Sequence, residues 1–534
     1  MMTYADDAWT VGQFALLAVL VVPALGALLL ALPVGGDRAG RITGTVFAAI
    51  TFLVSLPLLR DPTGVGWFAY GPPLDGPPGV LPWHQLDLPW VPALDLRLHL
   101  GVDGISYPLV LLTTGLTLLC CAYTVWRAPH GRNGRALVAL LLVVEVGIVG
   151  TFLALDLVLF FVFFEVVLLP MYAIIAGWGG GRTADGGGRT TDGGDRADTA
   201  HRRAATKFAV YTLAGSVLLL VGVVTVTTAA GTADLTVLTG GDGLGRGTQL
   251  FAFTLLALAF AVKAPLWPLH SWLPDAHSQA PTVGSVILAG VLLKMGTYGL
   301  IRVAVGVAPD GARWAAPVLG TLAVAAIIVG SLVCLAQTEL KRLIAYSSVG
   351  HMGFVLLGIA TLSATGIQAA LIGNVAHGVI TGLLFFLAGA VKDRYHTGEL
   401  AALGGLREDS PALSGLLGYA AIASLGLPGL AGFWGEAFAV VAAWQRGGAL
   451  WTTLAVAAAV GAALTAAYLL RMLRRVTHGP AGPAVRAAPA PAISRPEALA
   501  WAPLVLLALA IGLVPALVLG VAESPVTILL EVIR

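Results

Sequence analysis

The chain has 534 residues, 57% hydrophobic and 11% charged, with a mean hydropathy of +0.88, where soluble globular chains carry about 25% charged residues. These values exclude a soluble protein and identify an integral membrane protein; a net charge of +2 implies no nucleic-acid partner. Cys120, Cys121 and Cys334 fall inside apolar stretches without CxxC or Cys/His spacing, which argues against a disulfide framework, an iron–sulfur cluster or zinc.

About 20 apolar residues cross the roughly 30 Å hydrocarbon core, and stretches of that length recur from near Val11 to about Val521. They predict an all-α polytopic fold of about fourteen transmembrane helices. Met1 to Trp9 lack a basic leader, so the first run, over 12–32, reads as a mature helix and not a cleaved signal. A second span covers 41–60. Asp61 to Arg97, rich in Pro and Trp, reads as an ordered extracytoplasmic loop with tryptophans suited to the interface. Spans at 104–126, 136–154 and 156–176 follow, the last two carrying Glu145 and Glu165, with Asp156 as a helix N-cap between them. Gly177 to Arg203, Gly/Asp/Arg-rich and without apolar periodicity, reads as a flexible cytoplasmic loop.

The second half continues with spans at 206–229, 249–269, 281–305, 314–336, 341–362, 366–391, 411–445, 449–473 and 498–522, with a Pro/Ala-rich linker from Pro480 to Pro496. Two spans are interrupted. Lys263-Ala264-Pro265 breaks the seventh, and "GLPGLAGFWGE" (Gly426 to Glu436) breaks the twelfth, each with an ionisable residue beside the break. Unwound backbone at membrane depth is tolerated only inside protein or along a wet cavity. Broken helices five spans apart suggest internal repeats of spans 4 to 8 and 9 to 13, as in transporters. Most of the 30 Lys and Arg lie in the odd-numbered connections; the positive-inside bias puts those in the cytoplasm and both termini outside.

A charged side chain in the hydrocarbon costs at least about 2.5 to 3.5 kcal/mol and is a functional candidate by default. The candidates are Glu145, Glu165, Lys263, Lys294, His351, His377 and Glu436. Glu165, Lys294, His351 and His377 fall near the centres of their spans, so they can form a row parallel to the membrane surface. Such a row would be a proton relay, because carboxylate, imidazole and desolvated amine can all be brought to titrate near neutrality. A single charge could equally cement helix packing through a salt bridge; five or more at one depth favour the relay. The proton on Lys263 would then depend on whether Glu165 stays close. Ser347, Ser348 and His351 share one helix face, as do Asn374, His377 and Thr381. Those polar groups can hold water or serve as ordinary interhelical hydrogen bonders. His270 and His277 follow the break in the seventh span and read as structural loop histidines or a proton entry.

Four stretches carry a resemblance: "LDLVLFFVFFEVVLLPMY" (Leu155 to Tyr172), "FAVKAPLWPLHSWLPDAHSQAPTVGSVILAGVLLKMGTYGL" (Phe260 to Leu300), "KRLIAYSSVGHMGF" (Lys341 to Phe354) and "GFWGEAF" (Gly432 to Phe438). In order and over nearly the whole chain they resemble the M-type (chain 4) antiporter-like subunits of NADH-quinone oxidoreductase, respiratory complex I. The resemblance implies two inverted five-helix repeats with helices 7 and 12 broken, one proton channel, and a place in the membrane arm between L-type and N-type subunits. It divides the chain into helices 1–3 with their loop (1–130), the two repeats (131–310 and 311–478), and a linker with helix 14 (479–534).

The family's motifs make Glu165 the carboxylate partner, Lys263 the switching lysine, Lys294 the connecting lysine, His351 and His377 the central relay and Glu436 the terminal group. Glu145 fits less closely. The related L and N subunits, and the D subunit of multisubunit sodium/proton antiporters, usually carry lysine at the position of Glu436. The expected function is proton translocation in a bacterial plasma membrane, driven by NADH:quinone electron transfer elsewhere, with no cofactor in this chain and the flavin, iron–sulfur clusters and quinone in other subunits. A subunit of a multisubunit cation/proton antiporter is the alternative.

Overall fold

The computed structural model describes residues 10–33, 35–59, 80–92, 96–127, 133–179, 192–487 and 491–533. Thr10 and Gln13 form a capping box that starts α1 (Val11–Ala31), which turns back into α2 (Asp37–Ser55). A two-stranded antiparallel hairpin, β1 (His84–Val91) and β2 (Leu96–Val102), then stands where a Pro-braced loop was expected. Its strands alternate apolar and polar residues, as in Leu96-Arg97-Leu98-His99-Leu100, a period of two that suits a half-buried strand. Residues 61–79 and 93–95 of the expected loop lie outside the described residues.

α3 (Tyr107–Trp126) and α4 (Gly134–Leu153) cross next, followed by α5 (Leu157–Val166) and α6 (Leu168–Trp178). The last two form one span with a break at Val167 that the sequence reading treats as continuous. Pro170 accounts for it: its ring crowds the carbonyl of Val166 and it has no N–H to offer. α7 (Asp192–Ala230) begins inside the segment expected to be a loop, so the helix claims 192–203; residues 180–191 are outside the described set.

After the short α8 (Leu235–Leu238), α9 (Arg246–Lys263) stops at the lysine and α10 (Trp272–Gln279) resumes beyond it. The next span, Thr282–Val305, runs as α11 (Thr282–Ile287), a π-helical turn at Leu288–Leu292, α12 (Leu293–Gly299) and a second π turn at Leu300–Val305. α13 (Pro309–Ala336), α14 (Leu340–Ala360) and α15 (Ala364–Tyr395) follow, then the short α16 (Leu406–Asp409). The second interrupted span is α17 (Pro411–Ser424) and α18 (Gly432–Arg446), and α19 (Gly448–Thr477) completes the pair. The expected linker contains α20 (Pro483–Ala487).

The final span differs from expectation. It ends at Leu513 as α21 (Arg495–Leu513), and α22 (Ala516–Ile533) turns away. The Val521 carbonyl packs against Gly104 before α3, Val532 meets Gly240 after α8, and the Ile533 carbonyl accepts from Arg313 at the start of α13. All three contacts lie on one face of the bundle, so α22 lies along that face. Thirteen of the described helices are long and apolar enough to cross a membrane, α22 among them; the two interrupted spans add to the other twelve. Burial is uneven. Every residue of the apolar window in Thr282–Val305 is buried, and nearly all are in α14 and α15, against 28% in the window through α2. Polar groups on those three spans are therefore shielded from lipid.

Candidate functional site

Lys294 lies two residues beyond the first π turn. π turns inside α-helices recur at functional sites, and here the ammonium uses its own helix: Nζ donates to the Ala289 carbonyl, five residues back, at 2.5 Å. Its second contact is His377 Nδ1 on α15 at 2.7 Å. An ammonium has donors only, so a charged Lys294 makes Nδ1 the acceptor and leaves the ring proton on Nε2. That Nε2 is buried and has no hydrogen-bond partner among the described residues. Thr297, one turn beyond Lys294, donates to Asn374 Oδ1 at 3.0 Å, which fixes the α12–α15 register beside the Lys294–His377 contact.

His351 on α14 faces His377 with ring centroids 5.7 Å apart. Its Nδ1 is 2.6 Å from the Ser347 carbonyl and its Nε2 2.9 Å from the Ser424 carbonyl. Carbonyls only accept, so whichever ring nitrogen carries a proton has an acceptor waiting for it. Ser424 ends α17 at the second break, so its carbonyl is one of the four left free at a helix C-terminus, the negative end of the helix dipole. Glu436 Oε1 lies 3.5 Å from His351 Nε2 and is buried without a hydrogen bond. Two glycines allow this approach. Gly426 has φ +79, and a Cβ there would lie 3.0 Å from Glu436 Oε2; a Cβ on Gly435 would lie 2.6 Å from the Gly373 Cα. His351, His377, Thr381, Ser424 and Glu436 line a cavity of about 20 Å³, room for one water. Lys294, His377, His351 and Glu436 thus follow one another across four helices, with the two imidazole rings 5.7 Å apart at the middle step.

Lys263 and Glu165, the expected switching pair, each have another partner in this structure. Pro265 cannot donate to Ala261, whose carbonyl instead accepts from Leu266 N at 2.9 Å, and Trp272 Nε1 reaches back to the Val262 carbonyl at 3.0 Å. Lys263 ends α9, where a cation meets the negative end of the helix. Its Nζ sits 4.6 Å from the Phe164 ring centroid. Glu165 accepts a hydrogen bond from Ser216 on α7. Among the described residues no carboxylate oxygen lies within 4.0 Å of Lys263 Nζ, so the two do not form an ion pair, but Glu165 remains close enough for its charge to act on the ammonium. The break nevertheless touches the row: a Cβ on Gly296, two residues past Lys294, would lie 2.6 Å from the Ala264 nitrogen.

The other candidates separate. Among the described residues both Glu145 oxygens are buried without a hydrogen bond; the carboxyl lies near Cys121, and no hydrogen bond or ion pair joins it to the row. Asp156 is the N-cap expected, accepting from Val158 N and Leu159 N at 2.8 and 2.9 Å, and burial pushes its carboxyl up from the ordinary value. His270 packs near Tyr346. His277 lies inside the bundle on α10, flat on Phe385 at 4.6 Å, with neither nitrogen bonded among the described residues. Sequence reasoning missed Ser216, the Ser424 carbonyl, Lys341, and the buried Asp103–Arg302 ion pair. Lys341 and Arg302 sit at span ends, where a cation reads as a flank; Ser216 and Ser424 carry no signal among so many hydroxyls.

The transmembrane family described as NADH:quinone oxidoreductase/Mrp antiporter matches residues 193–465. NADH-quinone oxidoreductase subunit M of Rhodobacter capsulatus is 39% identical over 496 residues, 90% of this chain and 88% of that protein. The chain belongs to the NADH:quinone oxidoreductase/Mrp antiporter family. Another member, NAD(P)H-quinone oxidoreductase chain 4 1 of a Synechococcus species, is 40% identical over 80% of this chain and 78% of its own length. Among solved family structures, a chain of respiratory complex I from Thermus thermophilus superposes with a TM-score of 0.80 at 29% identity, covering 96% of this chain and 99% of that one. A chain of the Mrp complex from a Dietzia species gives 0.81 at 21% identity, covering 98% and 100%, a likeness of fold.

Proposed function

We propose that this chain is a proton-translocating, antiporter-like subunit in the membrane arm of NADH-quinone oxidoreductase. The observation that carries this reading is the buried row Lys294, His377, His351 and Glu436, with contacts of 2.7 Å at one end and 3.5 Å at the other. A proton on Lys294 passes to His377 Nδ1, crosses to His351 through the cavity between the rings, and leaves by Glu436. The family's subunit M relatives support this assignment over a generic channel.

In this reading Glu165 and Lys263 set the direction. Release of Glu165 from Ser216 would let it approach Lys263 and stabilise the ammonium; separation would send that proton toward Lys294. A charge pair about 4 Å apart at an effective dielectric near 20 is worth about 4 kcal/mol, more than the roughly 2.3 kcal/mol needed to move one charge against 100 mV. The driving reaction belongs to other subunits, which hold the flavin, iron–sulfur clusters and quinone, and the neighbours are L-type and N-type subunits. We place the chain in a bacterial plasma membrane with both termini outside, and take 131–310 and 311–478 as its two repeats.

The test is Glu165→Gln and Glu436→Gln in membrane vesicles, with NADH oxidation and acidification measured together once assembly is confirmed. Loss of acidification in both supports the relay; wild-type behaviour in both leaves a structural spacer. The fold likeness to the Mrp complex keeps cation/proton exchange as the second reading. Sodium-dependent exchange without NADH oxidation would establish it in place of the first.

A further inference from the structure

One buried cation takes no part in the row described above. Lys341 opens α14, yet it is only 7% exposed, and its Nζ donates to the Ala280 carbonyl at 2.5 Å. Ala280 closes α10, so the ammonium is held at the end of the helix that carries His277. His277 is fully buried, and neither ring nitrogen has a partner among the described residues. Lys341 and Lys294 both lie close enough for their charges to act on that ring, and His277 in turn acts on His377. Toward the surface, Lys341 is within electrostatic reach of Lys392 and Asp393, both exposed, and of the half-buried Glu339. The order from surface to row is therefore Lys392 and Asp393 at the end of α15, Lys341, His277, then Lys294 with His377.

We infer that Lys341 is the proton-loading group on this face of the bundle, passing protons to His277 and so to the Lys294–His377 pair. The inference rests on the relay reading. In the step, an Nζ–H bond of the ammonium breaks, an N–H bond forms on the imidazole through intervening water, and the neutral amine takes a new proton from water at the surface. No electrons change hands. The imidazolium then gives its proton to the row and returns to its neutral form. Lys341 is suited to this because three donors on a flexible stem can serve the Ala280 carbonyl and a water at once.

The competing role is mechanical, with Lys341 serving only to satisfy the Ala280 carbonyl at the kink before Pro281. Lys341→Arg separates the two. A guanidinium keeps the charge and a donor for the carbonyl but does not release a proton at physiological pH. In vesicles containing the assembled complex, Lys341→Arg and Lys341→Gln should both lower NADH-driven acidification by at least about 10-fold, against the roughly 100-fold or more that a positioned proton-transfer group supplies. Wild-type acidification by Lys341→Arg would overturn the inference. So would its failure to assemble, which would assign the residue to packing. Glu436→Gln measured alongside keeps the two claims apart: if it pumps normally the relay itself fails, whereas a dead Glu436→Gln beside a normal Lys341→Arg removes only the loading role.

Discussion

At His351 the ring nitrogens lie 2.6 and 2.9 Å from carbonyl oxygens with a carboxylate 3.5 Å away. An imidazole placed only for packing would need one such acceptor. His351→Gln keeps a donor but cannot take up and release a proton at two atoms, so acidification should fall by about 100-fold or more while the complex still assembles; vesicle acidification beside a native gel decides it. Trp272 has a different task. Its indole N–H is the partner of the Val262 carbonyl freed at the first break, and an unpaired buried acceptor costs about 1–3 kcal/mol. Trp272→Phe should therefore lower the thermal midpoint of the purified complex; an unchanged midpoint would mean that the carbonyl finds another donor. The break itself was legible in Lys263-Ala264-Pro265. Its capping was not, because the indole reaches back ten positions, over the unwound chain, and nothing in the spacing marks it.

The elements explain how such residues are brought within reach. α15 and α18 touch through glycine, with Gly435 against Gly373, and a methyl group there would meet backbone at 2.6 Å. Gly435→Ala must push the helices apart, at about 1–3 kcal/mol for overpacking, and would carry Glu436 away from His351. Acidification should drop. Gly115→Ala, whose added Cβ would meet the Phe52 ring at 3.5 Å, should leave it unchanged; equal effects would show that the Gly435 contact is not special. The hairpin is held by a side chain as well as by its ladder: His99 Nδ1 lies 3.3 Å from Asp234 Oδ2. Burial pushes the Asp234 carboxyl up, but hydrogen bonds from His99 and Thr236 outweigh it and hold the carboxyl below its ordinary value of 3.8. Its contribution is thus fully present above that value and is lost as pH falls through the folded one. Asp234→Asn should expose the hairpin to proteolysis at neutral pH, with the difference from wild type shrinking below about pH 4. Apolar runs revealed nearly all the long helices in the sequence. The hairpin was hidden by prolines that suggested a loop, and the π turns around Lys294 leave no mark in an apolar stretch.

At the scale of the whole molecule, the proposed relay requires a sidedness, and the last helix tests it. The run 498–522 reads as one span because hydropathy does not distinguish crossing from lying flat; the chain turns at Val514-Pro515, and α22 then meets Gly104, Gly240 and Arg313 on a single face. Most of the Lys and Arg lie in connections at the opposite face, which the positive-inside bias puts in the cytoplasm. These two statements predict a labelling pattern. Cys120, Cys121 and Cys334 are buried, so the background should be silent to a membrane-impermeant maleimide. Glu523 on α22, Asp242 after α8 and Glu408 on α16 are all exposed. In right-side-out vesicles, Glu523→Cys and Asp242→Cys should label before lysis and Glu408→Cys only after it. Reversal of all three would invert the membrane orientation and with it the direction in which Lys341 loads protons. If Glu523→Cys labelled together with Glu408→Cys and apart from Asp242→Cys, α22 would have to lie on the basic face, and its packing against Gly104 would be wrong.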